Sequence, residues 1–415
     1  MSKRILAACG NPDFGRLGNL PLANQDLFTV VHSLLDVSLK TIATGAASTY
    51  AVSEDGSVYS FGYNQQHQLG HSTGEIAVSL PQEVPLPVPA ASISAGYHHT
   101  LCLDQLGNVW SWGTGGFGQL GLGQDITTVP EPRLIKSLQG ADVVAISAGA
   151  EHSLALTRAG ELFSFGRGAK GRLGHGMGGR IADIHDEHDE FLPRQVRSLL
   201  STPIQHINAG FNHSAVIAED GALYVFGSNE YKNLGIDPGK MQMSSVPQRV
   251  PGLSHASAVS CGGLHTLALK YYGLGGDSGG LVVAWGANQN GVLGLGEAKD
   301  QNPLDPTPVT GDLVVQSVSA GWKHSGAITA GGEVLTWGWG GSVGTAMVAM
   351  ERGGGGGQLG VGDQNDRWAP SVVERLADSE GGEIERRRGS GGVKWRGVEV
   401  CCGLNHTALL VEMLD

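Results

Sequence analysis

Ile93-Ser94-Ala95-Gly96-Tyr97-His98-His99-Thr100 runs into Leu101-Cys102-Leu103, turns at Gly107, continues as Val109-Trp110-Ser111-Trp112-Gly113, and closes on Gly118-Gln119-Leu120-Gly121. Short apolar runs bounded by Gly read as strands rather than helices. The order is strand, G-x-x-H-[ST], strand, Gly turn, strand ending in aromatic-Gly, then G-x-L-G. This order recurs along the chain, and a fixed internal period is the first thing to settle in a fold.

The first Gly of G-x-x-H falls at Gly45, Gly96, Gly149, Gly210, Gly262, Gly321 and Gly403. Its histidine is His99, His152, His213, His265, His324 or His406, and the first copy carries Ser48 instead. Aromatic-Gly recurs at Phe61-Gly62, Trp112-Gly113, Phe165-Gly166, Phe226-Gly227, Trp285-Gly286 and Trp337-Gly338. Seven Gly starts against six aromatic-Gly pairs leave half a repeat at each end. The front half is Gly403-Leu404-Asn405-His406-Thr407; the back half is Ile5-Leu6-Ala7-Ala8-Cys9-Gly10 with Phe14-Gly15-Arg16-Leu17-Gly18. Joined, they complete a seventh unit and remove the open sheet edges that invite aggregation. The pattern predicts an all-β, seven-bladed β-propeller, a single domain over 1–415, closed by N- and C-terminal strands sharing one blade. Elements such as Pro193-Arg194-Gln195-Val196 and Pro247-Gln248-Arg249-Val250 supply a fourth strand per blade.

The combination of G-x-x-H-[ST], aromatic-Gly and G-Q-L-G resembles the regulator-of-chromosome-condensation repeat family, from Ile5 to about Val411. The resemblance implies a seven-bladed propeller with four strands per blade. It also implies guanine-nucleotide exchange on a small GTPase, because the founding member acts in that way on Ran. That member binds chromatin partly through a basic N-terminal tail, which the start of this chain in a strand puts in doubt. Plant ultraviolet-B photoreceptors of the family repeat G-W-R-H-T in neighbouring blades. This chain has one approximate copy, Gly321-Trp322-Lys323-His324-Ser325, so photoreception is an alternative reading.

Composition bounds the rest. Gly is 66 of 415 residues with no collagen period, and 40% hydrophobic against 16% charged residues allows a large core. A net charge of −12 lacks a basic footprint, so direct DNA binding is not expected. Cys9, Cys102, Cys261, Cys401 and Cys402 show no C-x-x-C spacing, which fits a reducing compartment without disulfides or zinc. No apolar run is long enough for a membrane span, and Ile5 to Cys9 is too short for a signal peptide; cytoplasm and nucleus both fit.

The period stretches at insertions about 176–190, 272–280, 340–357 and 379–397, expected to be flexible and to project from one face. The last carries Arg387-Arg388-Gly389-Ser390, a weak match to a basophilic kinase site. The six register histidines are expected to be structural, each hydrogen-bonding inside its own blade. G-x-G-x-x-G at Gly113 to Gly118 and Gly166 to Gly171 lies between strands and does not open a helix, so no nucleotide cofactor follows. His185 and His188 stand among Asp183, Asp186, Glu187, Asp189 and Glu190 without a placed third His or Cys, and read as a solvated acidic loop rather than a metal site. No nucleophile-base or paired-carboxylate arrangement stands out, so the chain reads as a binding platform with no catalytic residues of its own. Expected partner contacts are Tyr97, Phe211, Trp322 and Lys323 on the repeat face and Asp186 and Glu187 in the acidic loop; the partner is a protein, with a small GTPase the first candidate.

Overall fold

The computed structural model describes residues 3–20, 22–176, 188–271, 279–296, 305–341, 356–378, 381–386 and 394–414. Its strands form seven sheets set as blades around an axis. In chain order, blade 1 runs from Leu39–Thr44 to Ala77–Glu83, blade 2 from Ala90–Ala95 to Thr128–Leu134, and blade 3 from Val143–Ala148 to Glu190–Gln195. Blade 4 runs from Ile204–Ala209 to Met243–Arg249, blade 5 from Ala256–Cys261 to Thr307–Pro308, and blade 6 from Val315–Ala320 to Arg367–Val372. Each is a four-stranded antiparallel meander whose first strand lines the central channel. Pro193 and Pro247 fall in outermost strands, where a missing N–H breaks no inner ladder.

Blade 7 closes the ring. Arg4–Gly10 pairs with His406–Met413 in unbroken register from Arg4↔Glu412 to Gly10↔His406. Trp395–Cys402 lies inside this pair and Gln25–Val30 outside it, so the two ends share one blade as expected. A hairpin that the repeat did not announce, Arg375–Ala377 with Glu383–Glu385, extends the outer edge, its first strand running parallel to Gln25–Val30.

The stretch 379–397 is therefore not wholly a flexible insertion: Glu383–Glu385 pairs in the sheet, and fully buried Trp395 begins the innermost strand of blade 7. Three-residue strands carry too little alternation to be read from sequence. Glu190 likewise opens a strand and Gly280 bridges Val315, so those insertions are narrower than expected; 177–187, 272–278 and 342–355 lie outside the described residues. Strand direction alternates, so first-to-second turns and third-to-fourth connections lie on one face, here the G-x-x-H face, and second-to-third turns on the other.

The core is a set of seams. Seven apolar clusters occur among the described residues, each joining two neighbouring blades. Phe61, Trp112, Phe165, Phe226, Trp285 and Trp337 are fully buried in them. Blade 7 has Cys9 at the aromatic position, and buried Phe28 from the next strand fills the space against Gly360.

The register histidines lock these seams, and across blades rather than within them. His99 Nε2 lies 2.9 Å from Ser153 Oγ, His152 2.8 Å from Ser214 and His213 2.9 Å from Thr266. His265 lies 2.9 Å from Ser325, His324 2.9 Å from Thr407, and His406 3.1 Å from Thr49. The expectation of bonding inside a blade is thus corrected: a repeat register shows that the rings are equivalent, not which neighbour each one meets.

Each hydroxyl gives its own proton back to the imidazole's blade, to the carbonyl before Leu in the G-x-L-G loop. Ser153 donates to Gln119 O at 2.8 Å, Thr266 to Asn233 O at 2.8 Å and Thr407 to Gln358 O at 2.6 Å. Ser214, Ser325 and Thr49 donate in the same way to Arg172, Val292 and Arg16. A hydroxyl has one proton, so the imidazole must supply the other from Nε2–H. Between blades 1 and 2, where Ser48 replaces the histidine, Tyr50 bridges the seam with the direction reversed: its hydroxyl accepts from Thr100 Oγ1 at 3.0 Å and donates directly to Gln68 O at 2.7 Å.

Burial holds His99, His213 and His265 down at about 3 and His324 at about 4, with His152 and His406 well below the ordinary value. Because the unfolded chain binds these protons first, stability is complete above roughly pH 6.5 and falls as pH drops, by up to about 1.4 kcal/mol per pH unit for each ring. Urea midpoints should decline steeply from about pH 6.5 to about pH 4.5, whereas a flat profile contradicts neutral buried rings. In a cycle of His152→Ala and Ser214→Ala, a coupling of about 1 kcal/mol is expected in urea unfolding, against additivity if the contact is incidental.

Candidate functional site

On the G-x-x-H face, the residue after each Gly alternates between small and aromatic through blade 6, as Ala46, Tyr97, Ala150, Phe211, Gly263 and Trp322, and is Leu404 in blade 7. The large residues come from blades 2, 4 and 6, which are not neighbours, so their rings can meet only over the axis. Phe211 and Trp322 pack edge to face at 4.5 Å, and Tyr97 and Phe211 at 6.2 Å. Gly263 is the floor for the indole, since a Cβ there would lie 2.7 Å from Trp322 Cε3. All three rings are half-buried, and together they stopper one end of the channel.

The aromatic array extends further than the sequence suggested. Tyr97 packs on His98 at 4.6 Å, His98 faces Tyr63 at 6.5 Å, and Tyr63 meets Phe14 at 4.8 Å. His98 immediately precedes a register histidine and Tyr63 follows an aromatic-Gly pair, so the available signal was a comparison of non-register positions between copies. Lys323 is buried rather than presented, with Nζ 5.5 Å from the Trp339 ring; burial lowers its pKa, and Asp366 opposes that.

A charged cluster beside the rings also escaped the sequence reading. Arg167 lies over Phe117 at 4.5 Å and pairs with Glu151 at 2.7 Å. Arg172, almost fully buried, lies 3.5 Å from the same carboxylate and donates to Phe211 O at 3.2 Å, which ties the aromatic turn to blade 3.

Asp186 and Glu187, with Asp183 and His185, lie outside the described residues. Of that acidic run, Asp189 accepts from Gly168 N at 2.9 Å and Glu190 pairs with Arg194. Among the described residues no group of His, Cys, Asp or Glu could hold a metal ion. Both G-x-G-x-x-G stretches lie between third and fourth strands, the second ending in the 3-10 turn Ala169–Gly171, so neither opens the helix a phosphate cradle needs. Arg387, Arg388 and Ser390 are outside the described residues. No described helix is long and apolar enough to cross a membrane.

Seven blades sealed by a repeating His–hydroxyl relay, with a ring-built face over the axis, define a repeat propeller whose blades differ most at the residue after the first Gly. The chain belongs to the RCC1-like domain family, which matches residues 5–409. It is 30% identical over 381 residues to the Ultraviolet-B receptor UVR8 of Arabidopsis thaliana, covering 91% of this chain and 79% of that protein. It is 33% identical over 316 residues to the mitochondrial RCC1 domain-containing protein RUG3 of the same plant, covering 73% of this chain and 64%, just under two thirds, of that protein. The structure of Prp20p from Saccharomyces cerevisiae superposes with a TM-score of 0.80 at 20% identity, over 100% of this chain and 93% of that one, which shows a shared fold.

Replacing Arg172 with Ala should cost about 2–3 kcal/mol in urea unfolding, because it removes the buried guanidinium that donates to the Ala169 and Phe211 carbonyls, while Glu151 keeps Arg167. Lys170→Ala, which removes an exposed pair to Glu230, should stay within about 0.5 kcal/mol. Equal effects would refute a positioning role for Arg172.

Proposed function

We propose that this chain is a non-enzymatic binding propeller that engages a protein partner through the G-x-x-H face, with Tyr97, Phe211 and Trp322 at the centre of the contact. The observation that carries this reading is the convergence of three half-buried rings from blades 2, 4 and 6 over the axis. Aromatic anchors rimmed by polar and charged groups are the usual anatomy of an interface hot spot. Arg167 and Glu151 form part of that rim, whereas Lys323 lies against the Trp339 ring rather than reaching outward. Asp186 and Glu187 would add acidic contacts to the same partner.

The first candidate activity is guanine-nucleotide exchange on a small GTPase. Exchange factors act by docking and prying open the nucleotide site, so they need a shaped face and no nucleophile. Support comes from the family and from its fold neighbour Prp20p, whose structure was described with its binding to Gsp1p and histones. The reading requires no cofactor, and cytoplasm and nucleus both suit it.

A second reading, ultraviolet-B reception, has the UVR8 likeness in its favour. Against it, Trp322 packs on Phe211, and Trp112, Trp285, Trp337 and Trp395 are fully buried core residues.

Release of fluorescent GDP from a panel of small GTPases, Ran included, tests the first reading. Acceleration on one member is expected, with Trp322→Ala and Phe211→Ala each weakening the complex by at least about 2 kcal/mol. Ultraviolet-B-driven dissociation of a dimer, without exchange on any GTPase, would favour the second reading.

A further inference from the structure

The channel is stoppered by Tyr97, Phe211 and Trp322 at the G-x-x-H face and opens at the other, where lining residue Val144 is 38% exposed. It encloses about 530 Å³. Residues two apart on a strand share a face, so each innermost strand sends two side-chain layers inward. The deeper layer is committed to the ring: Ser94 Oγ accepts from Ala148 N, Ser147 from Ala209 N, Ser260 from Ala320 N and Ser319 from Cys402 N, all at 2.9 Å.

The outer layer, nearer the open mouth, is different. Thr41, Ser92, His206, Ser317 and Glu399 occupy it, at equivalent register positions. Among the described residues, Ser317 Oγ and His206 Nδ1 are buried without a hydrogen-bond partner. Glu399 accepts from Thr41 Oγ1 at 2.8 Å and Ile42 N at 3.1 Å, which ties blade 7 to blade 1 but supplies no positive charge. Among the described residues no Lys or Arg lines the channel, and Arg4, the cation acting on Glu399 from a distance, pairs with Glu54 at 3.7 Å.

A carboxylate largely withdrawn from solvent without a counter-charge is costly, and a cation that reaches it gains more than it would in water. The groups left open at this mouth, a carboxylate, a hydroxyl and an imidazole nitrogen, can all accept. A ligand with donors only and one positive charge matches them, and an alkylammonium has three N–H donors and no acceptor.

We propose that the open mouth of the channel binds a primary alkylammonium group, with Glu399 as counter-ion, Ser317 Oγ as a second acceptor and His206 Nδ1 accepting from across the channel. The ammonium can belong to a small free amine or to a lysine tip of a partner protein. Either enters from the face opposite the aromatic array, so this site is independent of the interface above. Burial raises the pKa of Glu399, so a proton competes with the ammonium and binding weakens as the pH falls toward the carboxyl's raised value.

Calorimetry of the full chain with 1,4-diaminobutane, with Nα-acetyl-lysine methylamide and with neutral 1,4-butanediol tests the proposal. Saturable binding of at least one amine is expected and none of the diol; diamine alone points to a free metabolite, and the lysine probe to a partner's side chain. Glu399→Gln keeps an acceptor for Thr41 and Ile42 but carries no charge, and should weaken binding at least about tenfold. Ser317→Met, at a hydroxyl that bonds nothing in the ring, should block the mouth while circular dichroism and the urea midpoint stay near the parent's. Equal binding of diol and diamine, undiminished binding by Glu399→Gln, or no binding of either amine would overturn the assignment.

Discussion

The imidazole of one blade donates Nε2–H to a hydroxyl of the next, and that hydroxyl donates to a loop carbonyl of the first blade. The relay is short, fully buried and repeated at six seams, with Tyr50 standing in at the seventh. It joins the innermost region of one blade to the G-x-L-G loop that would otherwise leave a carbonyl dry, so it solves a satisfaction problem and a docking problem together. Where the aromatic position is Trp, the indole adds a donor to the same carbonyl: Trp112 to Gln68, Trp285 to Asn233 and Trp337 to Val292. In blade 7, the Cys9 thiol points at Gln358 O, and Phe28 supplies the missing bulk.

These constraints explain the tolerance of the repeat as well as its invariants. Gly113 has φ +100°, and a Cβ there would stand 2.3 Å from His98 O, so the glycine after the aromatic is a steric requirement for the relay. The residue after the first Gly carries no such burden, and there the blades differ. A ring held by its seams can present Ala, Tyr, Phe, Gly or Trp at the axis without changing its fold. The same logic leaves the outer channel layer free to differ from blade to blade, which is how Glu399 and His206 come to stand among small hydroxyls.

The blade count, the closure by both termini and the fourth strands were legible because they are periodic, and a period survives even when single positions drift. What was not legible is relational. Nothing in Gly149-Ala150-Glu151-His152 says that the imidazole looks forward to Ser214 rather than back into its own sheet. Nor does the sequence show that Tyr97, Phe211 and Trp322, more than a hundred residues apart in successive steps, meet over an axis. Tyr50 was hidden because it compensates for Ser48 from two positions away. The hairpin at Arg375–Ala377 and Glu383–Glu385 lies outside the period, and its strands are too short to show alternation.

The relay makes one directly observable demand, on the protonation of its six imidazoles. Long-range proton–nitrogen correlation spectra of the histidine rings report which nitrogen carries the proton and whether the ring is charged. Six rings should appear as neutral Nε2–H tautomers that remain so at about pH 5, below the ordinary histidine value of roughly 6.5. Register histidines found in the Nδ1–H form, or titrating near that ordinary value, would mean that the seams are not closed by this relay.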